Sequence, residues 1–233
     1  MKEQLYNFYI LHQRKYKENS LLLSVFTREL GKVSVIVRTN KKTVNLYQPL
    51  VELRGQISVA KKADSLSKLY NVEFVASCYQ KSYINLLSLQ YANELLYMLL
   101  SHSHEEDILF SKYDFLLKNI DENNYKYLLR MFELELLESL GQGIYVDCDV
   151  DGVPIDSGFR YVVLNNDFKK CLNAELNTIS GASLLKINQS ISAWSETDLK
   201  EISKVVRAFV DYVLAGKQLK SRKLLIDYLS LKK

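Results

Sequence analysis

The sequence predicts an α+β protein, in which a small five-stranded barrel is followed by a mainly helical domain. Up to about residue 65 the hydrophobic period is about 2, and beyond it the period is about 3.6. Helix and strand breakers are scarce, with 8 Gly and 2 Pro in 233 residues, which favours long helices. Hydrophobic residues make up 48% and charged residues 25%, the balance of a folded chain rather than a disordered one.

Alternating apolar and polar side chains predict five short strands. β-Branched and aromatic residues are frequent in them, and Gly31 can supply a turn position between the second strand and the third. Pro49 lies at the start of the fourth strand, where a missing N–H group is tolerated. A barrel of five short strands matches the OB-fold, which binds oligonucleotides. The predicted strands cover residues 6–11, 21–26, 33–38, 50–57 and 58–63.

Beyond Ser65 the apolar residues recur at helical spacing and predict an amphipathic bundle. Gly141 ends the third helix, and a small hairpin is expected around residues 161–164. Ser195, with Asp198 three residues later, predicts a capping box at the start of a later helix. The predicted helices cover residues 86–99, 109–120, 125–140, 174–186, 196–215 and 221–231.

These patterns predict two domains. The barrel occupies residues 1–80, and the helical domain occupies residues 81–233 with an irregular insert at about 141–170. Basic residues are concentrated at the two ends of the chain. Residues 1–80 hold 13 Lys and Arg against 6 Asp and Glu, whereas residues 81–140 hold 5 against 10. This distribution indicates an anionic partner, although uneven solvated charge gives the same pattern.

Membrane insertion and secretion are not expected. The longest unbroken apolar run covers six residues, 95–100, whereas a membrane-spanning helix needs about 20. The first 20 residues lack the long apolar core of a signal peptide. Three widely spaced cysteines argue against a disulfide framework. We therefore expect a cytoplasmic protein.

Catalytic motifs are missing from the sequence. It contains no phosphate-binding P-loop, no GxGxxG turn and no GxSxG elbow. The cluster from His102 to Asp107 could ligate a metal, but a polar turn between two helices is the favoured explanation. Cys148 has no CxxC partner and so cannot form a structural zinc site. We expect no cofactor, no metal and no enzymatic activity.

Clusters of basic residues are the stronger candidates for function. Lys and Arg can contact phosphates, and an aromatic ring such as that of Tyr16 can stack on a base. Loops and strand ends on one side of a small barrel can combine separate clusters into one surface. The alternative is solvated charge without a ligand. The candidate DNA-binding residues are Arg14, Lys15, Tyr16, Lys17, Arg28, Lys32, Arg38, Lys41 and Lys42.

Three segments of the sequence resemble the RecO family of bacterial recombination mediators. Residues 14–33 are similar to its R-x-Y-x-E-x-S-L-L and F-T-x-x-x-G patterns. Residues 129–143 are similar to its L-R-x-F-E-L-x-L-L and L-G-x-G patterns, and residues 216–222 to its G-K-x-L-K-S-R segment. Many members carry a four-cysteine zinc knuckle after L-G-x-G. Only Cys148 remains here, so the chain resembles the zinc-free members.

The resemblance implies an OB-fold followed by a helical domain, and a function without catalysis. Its members bind single- and double-stranded DNA and anneal complementary strands. They also bind the acidic C-terminal tail of single-strand-binding protein and, with RecR, help to load RecA. The resemblance thus implies DNA, RecR and this tail as partners, RecA as an indirect partner, and association with the nucleoid.

An acidic tail with an apolar end needs an apolar groove with cations at its rim. Arg130 is a candidate from the acidic helical segment, although an ion pair with Glu133 explains it equally. Lys217, Lys220 and Arg222 are candidates near the C-terminus. Two alternatives to a mediator remain, namely an RNA-binding OB-fold module and a metal-dependent nuclease that uses the His102–Asp107 cluster.

Overall fold

The computed structural model of the chain describes residues 4–60, 66–79, 81–101, 105–171 and 178–231. The chain forms two compact units. Unit 1 comprises Met1–Tyr125 with Leu219–Lys233, and unit 2 comprises Lys126–Gln218. The predicted domain boundary at residue 80 stays a prediction.

Unit 1 contains a closed five-stranded barrel with the strand order β1-β2-β3-β5-β4. Strands β3 and β5 run parallel, and the other neighbouring pairs are antiparallel. This barrel confirms the predicted OB-fold at the N-terminus. The strands are β1 (Leu5–Lys17), β2 (Ser20–Thr27), β3 (Gly31–Arg38), β4 (Val51–Ser58) and β5 (Ser67–Ser77).

Alternation along the strands sends one set of side chains into the barrel. Phe8, Leu23 and Val35 are fully buried in this core, and burying a side chain of this kind stabilises the fold by about 1.5–3 kcal/mol. Tyr47, from the connection between β3 and β4, is also buried in this core. The intervening residues of each strand face outward and form the exterior of the barrel.

The predicted position of the fifth strand, residues 58–63, is wrong. Ser58 ends β4, residues 59–60 belong to no strand, and residues 61–63 lie outside the described residues. The fifth strand is β5, within which Asn71 has a positive φ of 53°. The register of β5 against β4 shifts at the same place. A bulge of this kind breaks the two-residue period and therefore hides the strand from a search for alternation.

Two helices of unit 1 pack on the exterior of the barrel. The Tyr9 and Tyr113 rings meet edge to face, with centroids 5.3 Å apart. The buried Asn93 amide donates to the Leu11 carbonyl at 2.8 Å, and its oxygen accepts from the Tyr113 hydroxyl at 2.8 Å. These bonds tie strand and helices together without leaving the amide unsatisfied. The helices, α1 (Tyr83–Leu99) and α2 (Asp107–Asn119), confirm two of the predicted helices.

The C-terminal helix α6 (Lys220–Leu231) also belongs to unit 1 and confirms the last predicted helix. The Glu94 carboxylate, on α1, accepts from the Lys220 N–H at 3.1 Å and the Ser221 N–H at 2.8 Å. It also accepts from the Ser221 hydroxyl. A carboxylate from a distant part of the sequence thus satisfies the open N–H groups at the start of α6.

Unit 2 combines helices with a small sheet of order β7-β6-β8. Asn165 and Asn166, both at positive φ, form the turn of the predicted hairpin. Ser195 and Asp198 form the predicted capping box. The elements are α3 (Tyr125–Ser139), whose first residue belongs to unit 1, β6 (Arg160–Leu164), β7 (Asp167–Cys171), β8 (Ile179–Ser180), α4 (Gly181–Leu184) and α5 (Glu196–Leu214).

The predicted helix at residues 174–186 is largely wrong. Residues 174–177 lie outside the described residues, and Ile179 and Ser180 form strand β8. Among the described residues 178–186, only the four residues of α4 are α-helical. The strand forms because Tyr161 of β6 pairs with Ile179, a tertiary interaction that overrides the local helical spacing.

A polar network connects β6, β8 and α5. Arg160 donates to Glu201 at 2.8 Å, and the Ser180 N–H and hydroxyl donate to the other Glu201 oxygen at 3.0 and 2.7 Å. Burial alone would raise the pKa of Glu201, but these donors lower it to about 2. The ionised carboxylate therefore stabilises unit 2 above its ordinary pKa, and this contribution is lost as the pH falls toward 2.

We expect Glu201→Gln to lower the free energy of unfolding at pH 7 by about 2 kcal/mol, because charged hydrogen bonds are lost. The deficit should shrink between about pH 5 and pH 2, where the wild type loses the same contribution. Urea titrations across this pH range measure the effect. The control is Glu196→Gln, an exposed residue of the same helix, which should change stability by less than about 0.5 kcal/mol. A pH-independent deficit would contradict the assignment.

Candidate nucleic-acid interface

The basic residues of β1 extend beyond the part of the barrel that is covered by helices. Strand β1 is 13 residues long, and residues 12–17 are all exposed. A tight turn at Glu18 and Asn19 connects this extension to β2. Pairing with β2 continues the strand as far as Lys17, beyond the predicted end at residue 11. The extension therefore presents its charges to solvent.

Register places basic residues from β1, β3 and β5 on one side of the barrel. Lys17 pairs with Ser20, which pairs with Arg38. Since neighbouring strands are about 4.8 Å apart, the Lys17 and Arg38 backbones are about 10 Å apart. The adjacent row runs from Arg14 through Leu22 and Ile36 to Lys68 of β5. We call the exterior surface of these two rows the open face.

The open face is electropositive and has a partly apolar floor. Arg14, Lys17, Arg38 and Lys68 are exposed, and within the described part of the chain none of them has an ion-pair partner. Leu22 and Ile36 lie between the cations and are partly exposed. Such a surface can neutralise phosphates at its edges and contact bases or sugars between them.

Four more predicted residues lie beside the open face. Lys15 follows Arg14 and pairs with Leu21, whose side chain belongs to the barrel core, so Lys15 is directed to the other side of the sheet. Tyr16 is 45% exposed, and the Lys17 ammonium lies 5.6 Å from its ring centroid. Lys41 and Lys42 are exposed on the loop after β3. In this loop the Asn40 side chain accepts from the Lys42 N–H at 2.9 Å.

Lys32 and Arg28 bind partners within unit 1. The Lys32 side chain is buried and donates to the Tyr97 carbonyl at 2.6 Å and to the Leu100 carbonyl at 2.8 Å. It thus satisfies open carbonyls at the C-terminal end of α1. Arg28 forms an ion pair with Asp107 and lies 5.4 Å from the Phe110 ring centroid. We therefore leave Lys32 and Arg28 out of the open face.

Lys68 belongs to the open face but is not among the residues that the basic clusters predict for DNA binding. Its place depends on the parallel pairing of β3 with β5, which sets Lys68 beside Ile36. The predicted fifth strand did not include Lys68, and a long-range parallel register leaves no local signal in the sequence. An alternation of exposed and buried residues from Ser67 to Tyr70 is the one local sign of this strand.

Arg130 forms the ion pair with Glu133 that the sequence offers as the alternative to tail binding. Its Nε lies 2.8 Å from a Glu133 oxygen, and the two side chains are 9% and 0% exposed. The Arg130 Nη1 atom is buried without a hydrogen-bond partner among the described residues. A buried guanidinium N–H without an acceptor is uncommon in proteins. Whether Arg130 also binds an acidic tail stays a prediction.

The three C-terminal candidates for tail binding belong to different units. Lys217 is exposed at the end of unit 2. Lys220 and Arg222 belong to unit 1, at the start of α6, where Glu94 already accepts from the backbone. The Arg222 guanidinium lies 5.6 Å from the Tyr91 ring centroid. Their role in tail binding stays a prediction.

The metal-site hypothesis receives no support from the described residues. His102 and His104 lie outside them, and Asp107 pairs with Arg28. Within the described ranges, no group of three His, Cys, Asp or Glu residues is arranged to hold a metal ion. The same ranges contain no helix that is long and apolar enough to cross a membrane.

The closed five-stranded barrel places the N-terminal part of the chain in the class of OB-fold proteins. Comparison with known families is more specific. The family described as Recombination protein O N terminal matches residues 1–78, and Recombination protein O C terminal matches residues 80–223. The chain therefore belongs to the RecO family, as the sequence motifs predict.

Curated relatives agree with this assignment. DNA repair protein RecO of Francisella tularensis subsp. novicida is 71% identical over 99% of this chain and 100% of its own length. The protein of the same name from Francisella philomiragia is also 71% identical, over 99% of both chains. The one from Coxiella burnetii is 32% identical over 93% of this chain and 95% of its own.

We expect Lys32→Met to destabilise unit 1 by about 2 kcal/mol, because two carbonyls lose a charged donor while the apolar stem is retained. Urea unfolding measures the loss. Affinity for a single-stranded oligonucleotide should stay within about twofold of wild type, about 0.4 kcal/mol. A large loss of affinity for the oligonucleotide with unchanged stability would instead show that Lys32 contacts DNA.

Proposed function

We propose that the chain is a DNA-repair mediator that acts without catalysis. It binds single- and double-stranded DNA, anneals complementary strands and, together with RecR, helps RecA to replace single-strand-binding protein. The observation that carries this proposal is the open face, with four exposed cations that have no ion-pair partner among the described residues. Membership of the RecO family supports the role in repair.

Strand annealing needs neutralisation of phosphates rather than a reacting group. Two complementary strands repel each other through their backbones, and bound cations reduce this repulsion while releasing counterions. The hairpin of β1 and β2 suits this task because Arg14 and Lys17 lie on the open face whereas Lys15 lies on the other side of the sheet. Cations on both sides allow contacts with more than one strand.

The open face can be tested with the triple variant Arg14→Gln, Lys17→Gln and Arg38→Gln. We expect a strong loss of affinity for single-stranded DNA, because three phosphate contacts disappear. The slope of log affinity against log salt should become shallower by about 2, at roughly 0.7 per contact. Fluorescence anisotropy of a labelled oligonucleotide at several salt concentrations measures both quantities.

The matched control removes three exposed charges from unit 2, as Lys169→Gln, Lys200→Gln and Lys204→Gln. It lowers the net charge equally but leaves the open face intact, so its salt slope should stay close to that of wild type. An equal loss of DNA affinity in both variants would mean that net charge alone causes the effect. This result would refute the assignment of the open face as the DNA-binding surface. Tighter binding of structured RNA than of single-stranded DNA would favour the RNA-binding alternative. Cleavage of DNA with a divalent metal would favour a nuclease.

Arg130 is our first candidate for the tail of single-strand-binding protein. Its Nη1 atom has no acceptor among the described residues, and a carboxylate is the acceptor that a guanidinium binds best. Tyr127, Met131 and Leu134, which are partly exposed on the same helix, could contribute apolar contacts. The side chain is 9% exposed, so a carboxylate can reach it only when the covering groups move.

We expect Arg130→Lys to weaken binding of a fluorescent tail peptide at least about tenfold, since a charged hydrogen bond contributes about 1.5–3 kcal/mol. Lysine retains a charge beside Glu133, which is fully buried, so the variant should fold better than an alanine. Binding of naked DNA should be unchanged. A combined Lys217→Ala, Lys220→Ala and Arg222→Ala variant tests the other candidates. If both variants bind the peptide normally, the tail is bound elsewhere.

A further inference from the structure

A stacked pair of rings, of which one is exposed and the other partly buried, lies beside the open face. The His12 and Tyr97 rings stack, with centroids 4.6 Å apart and planes 18° apart. Both residues belong to unit 1, and His12 is exposed. His12 pairs with Ser24, which pairs with Ser34, in the row next to that of Arg14. The ring pair thus lies on the same side of the barrel as the cations.

Tyr97 holds this pair in a defined position. Its carbonyl accepts from the buried Lys32 ammonium at 2.6 Å, and the same ammonium lies 5.3 Å from its ring centroid. One turn earlier on α1, Asn93 fixes the helix to the Leu11 carbonyl at 2.8 Å. The helix that carries Tyr97 is therefore anchored to the two strands on which Leu11 and Lys32 lie. The His12 ring rests on a rigid support.

Nothing else in the described part of the chain engages the His12 side chain through a hydrogen bond or an ion pair. Stacking on Tyr97 occupies one face of an imidazole, and the exposure of His12 leaves the rest of the ring open to solvent. A flat ring on a rigid support beside unpaired cations can stack on a nucleobase. A solvated histidine without ligand would not need this support.

We propose that His12 is the stacking residue for an unpaired nucleobase of a strand that is bound on the open face. This inference rests on the proposed DNA-binding function and names its preferred substrate, a strand with unstacked bases. In a duplex both faces of an interior base are already stacked on neighbouring bases. An interior base of a duplex therefore offers no free face on which His12 could stack. His12 therefore favours single strands over duplex, whereas the cations serve both.

The test combines protein variants with abasic DNA. Wild type, His12→Ala and His12→Phe are titrated with a labelled oligonucleotide, with duplex of the same length, and with oligonucleotides that carry one abasic site at successive positions. His12→Ala removes the ring, and His12→Phe keeps a ring but cannot carry charge. Thermal unfolding of each variant controls for the loss of the contact with Tyr97.

Stacking of a base contributes enough to change affinity at least about fivefold. We expect His12→Ala to bind the single strand at least fivefold more weakly, and His12→Phe to stay within about twofold of wild type. Duplex affinity should be unchanged in both. An abasic site at one position should weaken the binding of wild type by a similar factor. The same abasic site should not change the binding of His12→Ala. This result would show that the missing base is the one that stacks on His12.

Equal losses for His12→Ala and His12→Phe would mean that His12 acts through charge, and would overturn the proposal. Wild-type affinity in His12→Ala would overturn it as well. If the triple variant of the open face loses affinity in the same assay, either result refutes the stacking role alone. If wild type binds no DNA, the proposed function and this inference fail together.

Discussion

The bond between Lys32 and the end of α1 divides the exterior of the barrel into a covered part and an open part. Its ammonium donates to two carbonyls of the helix end, at Tyr97 and Leu100. A buried lysine is costly unless it is paired, and here helix carbonyls satisfy it. Since α1 is anchored at this row of β3, it leaves the rows of Arg14 and Lys17 exposed. The candidate interface begins where this helix stops covering the barrel.

Most of the fold could be predicted because its signals are local. The alternation of Val33, Val35 and Val37 predicts β3, and Ser195 with Asp198 predicts the start of α5, since both patterns depend on neighbours in sequence. The predictions are wrong where the secondary structure depends on pairing between strands that are distant in sequence. Strand β8 forms by pairing with β6, and β5 is hidden by the bulge at Asn71. Neither effect changes the local composition of the chain.

The candidate site could be predicted only in part. The sequence identifies the charged residues, but it does not show which of them already bind partners inside the protein. Arg14, Lys17 and Arg38 could be selected as basic residues near strand ends, and all three are exposed on one face. Lys32 and Arg130 look the same in sequence, yet both are buried, the former against helix carbonyls and the latter against Glu133. A basic residue in an OB-fold is thus a candidate contact only after its internal partners are known.

The loop after α3 shows the same dependence on internal partners. Asp149 is 5% exposed, and its carboxylate accepts from the Asp151 N–H at 3.1 Å and the Val153 N–H at 2.9 Å. Its own N–H donates to the Val153 carbonyl at 2.8 Å, and Gly152 supplies the positive φ of 75° that the turn requires. Cys148 precedes this turn and forms a backbone bridge with Pro154. Hydrogen bonds within five residues thus order this loop, because a carboxylate and a glycine at the right spacing satisfy its backbone groups locally.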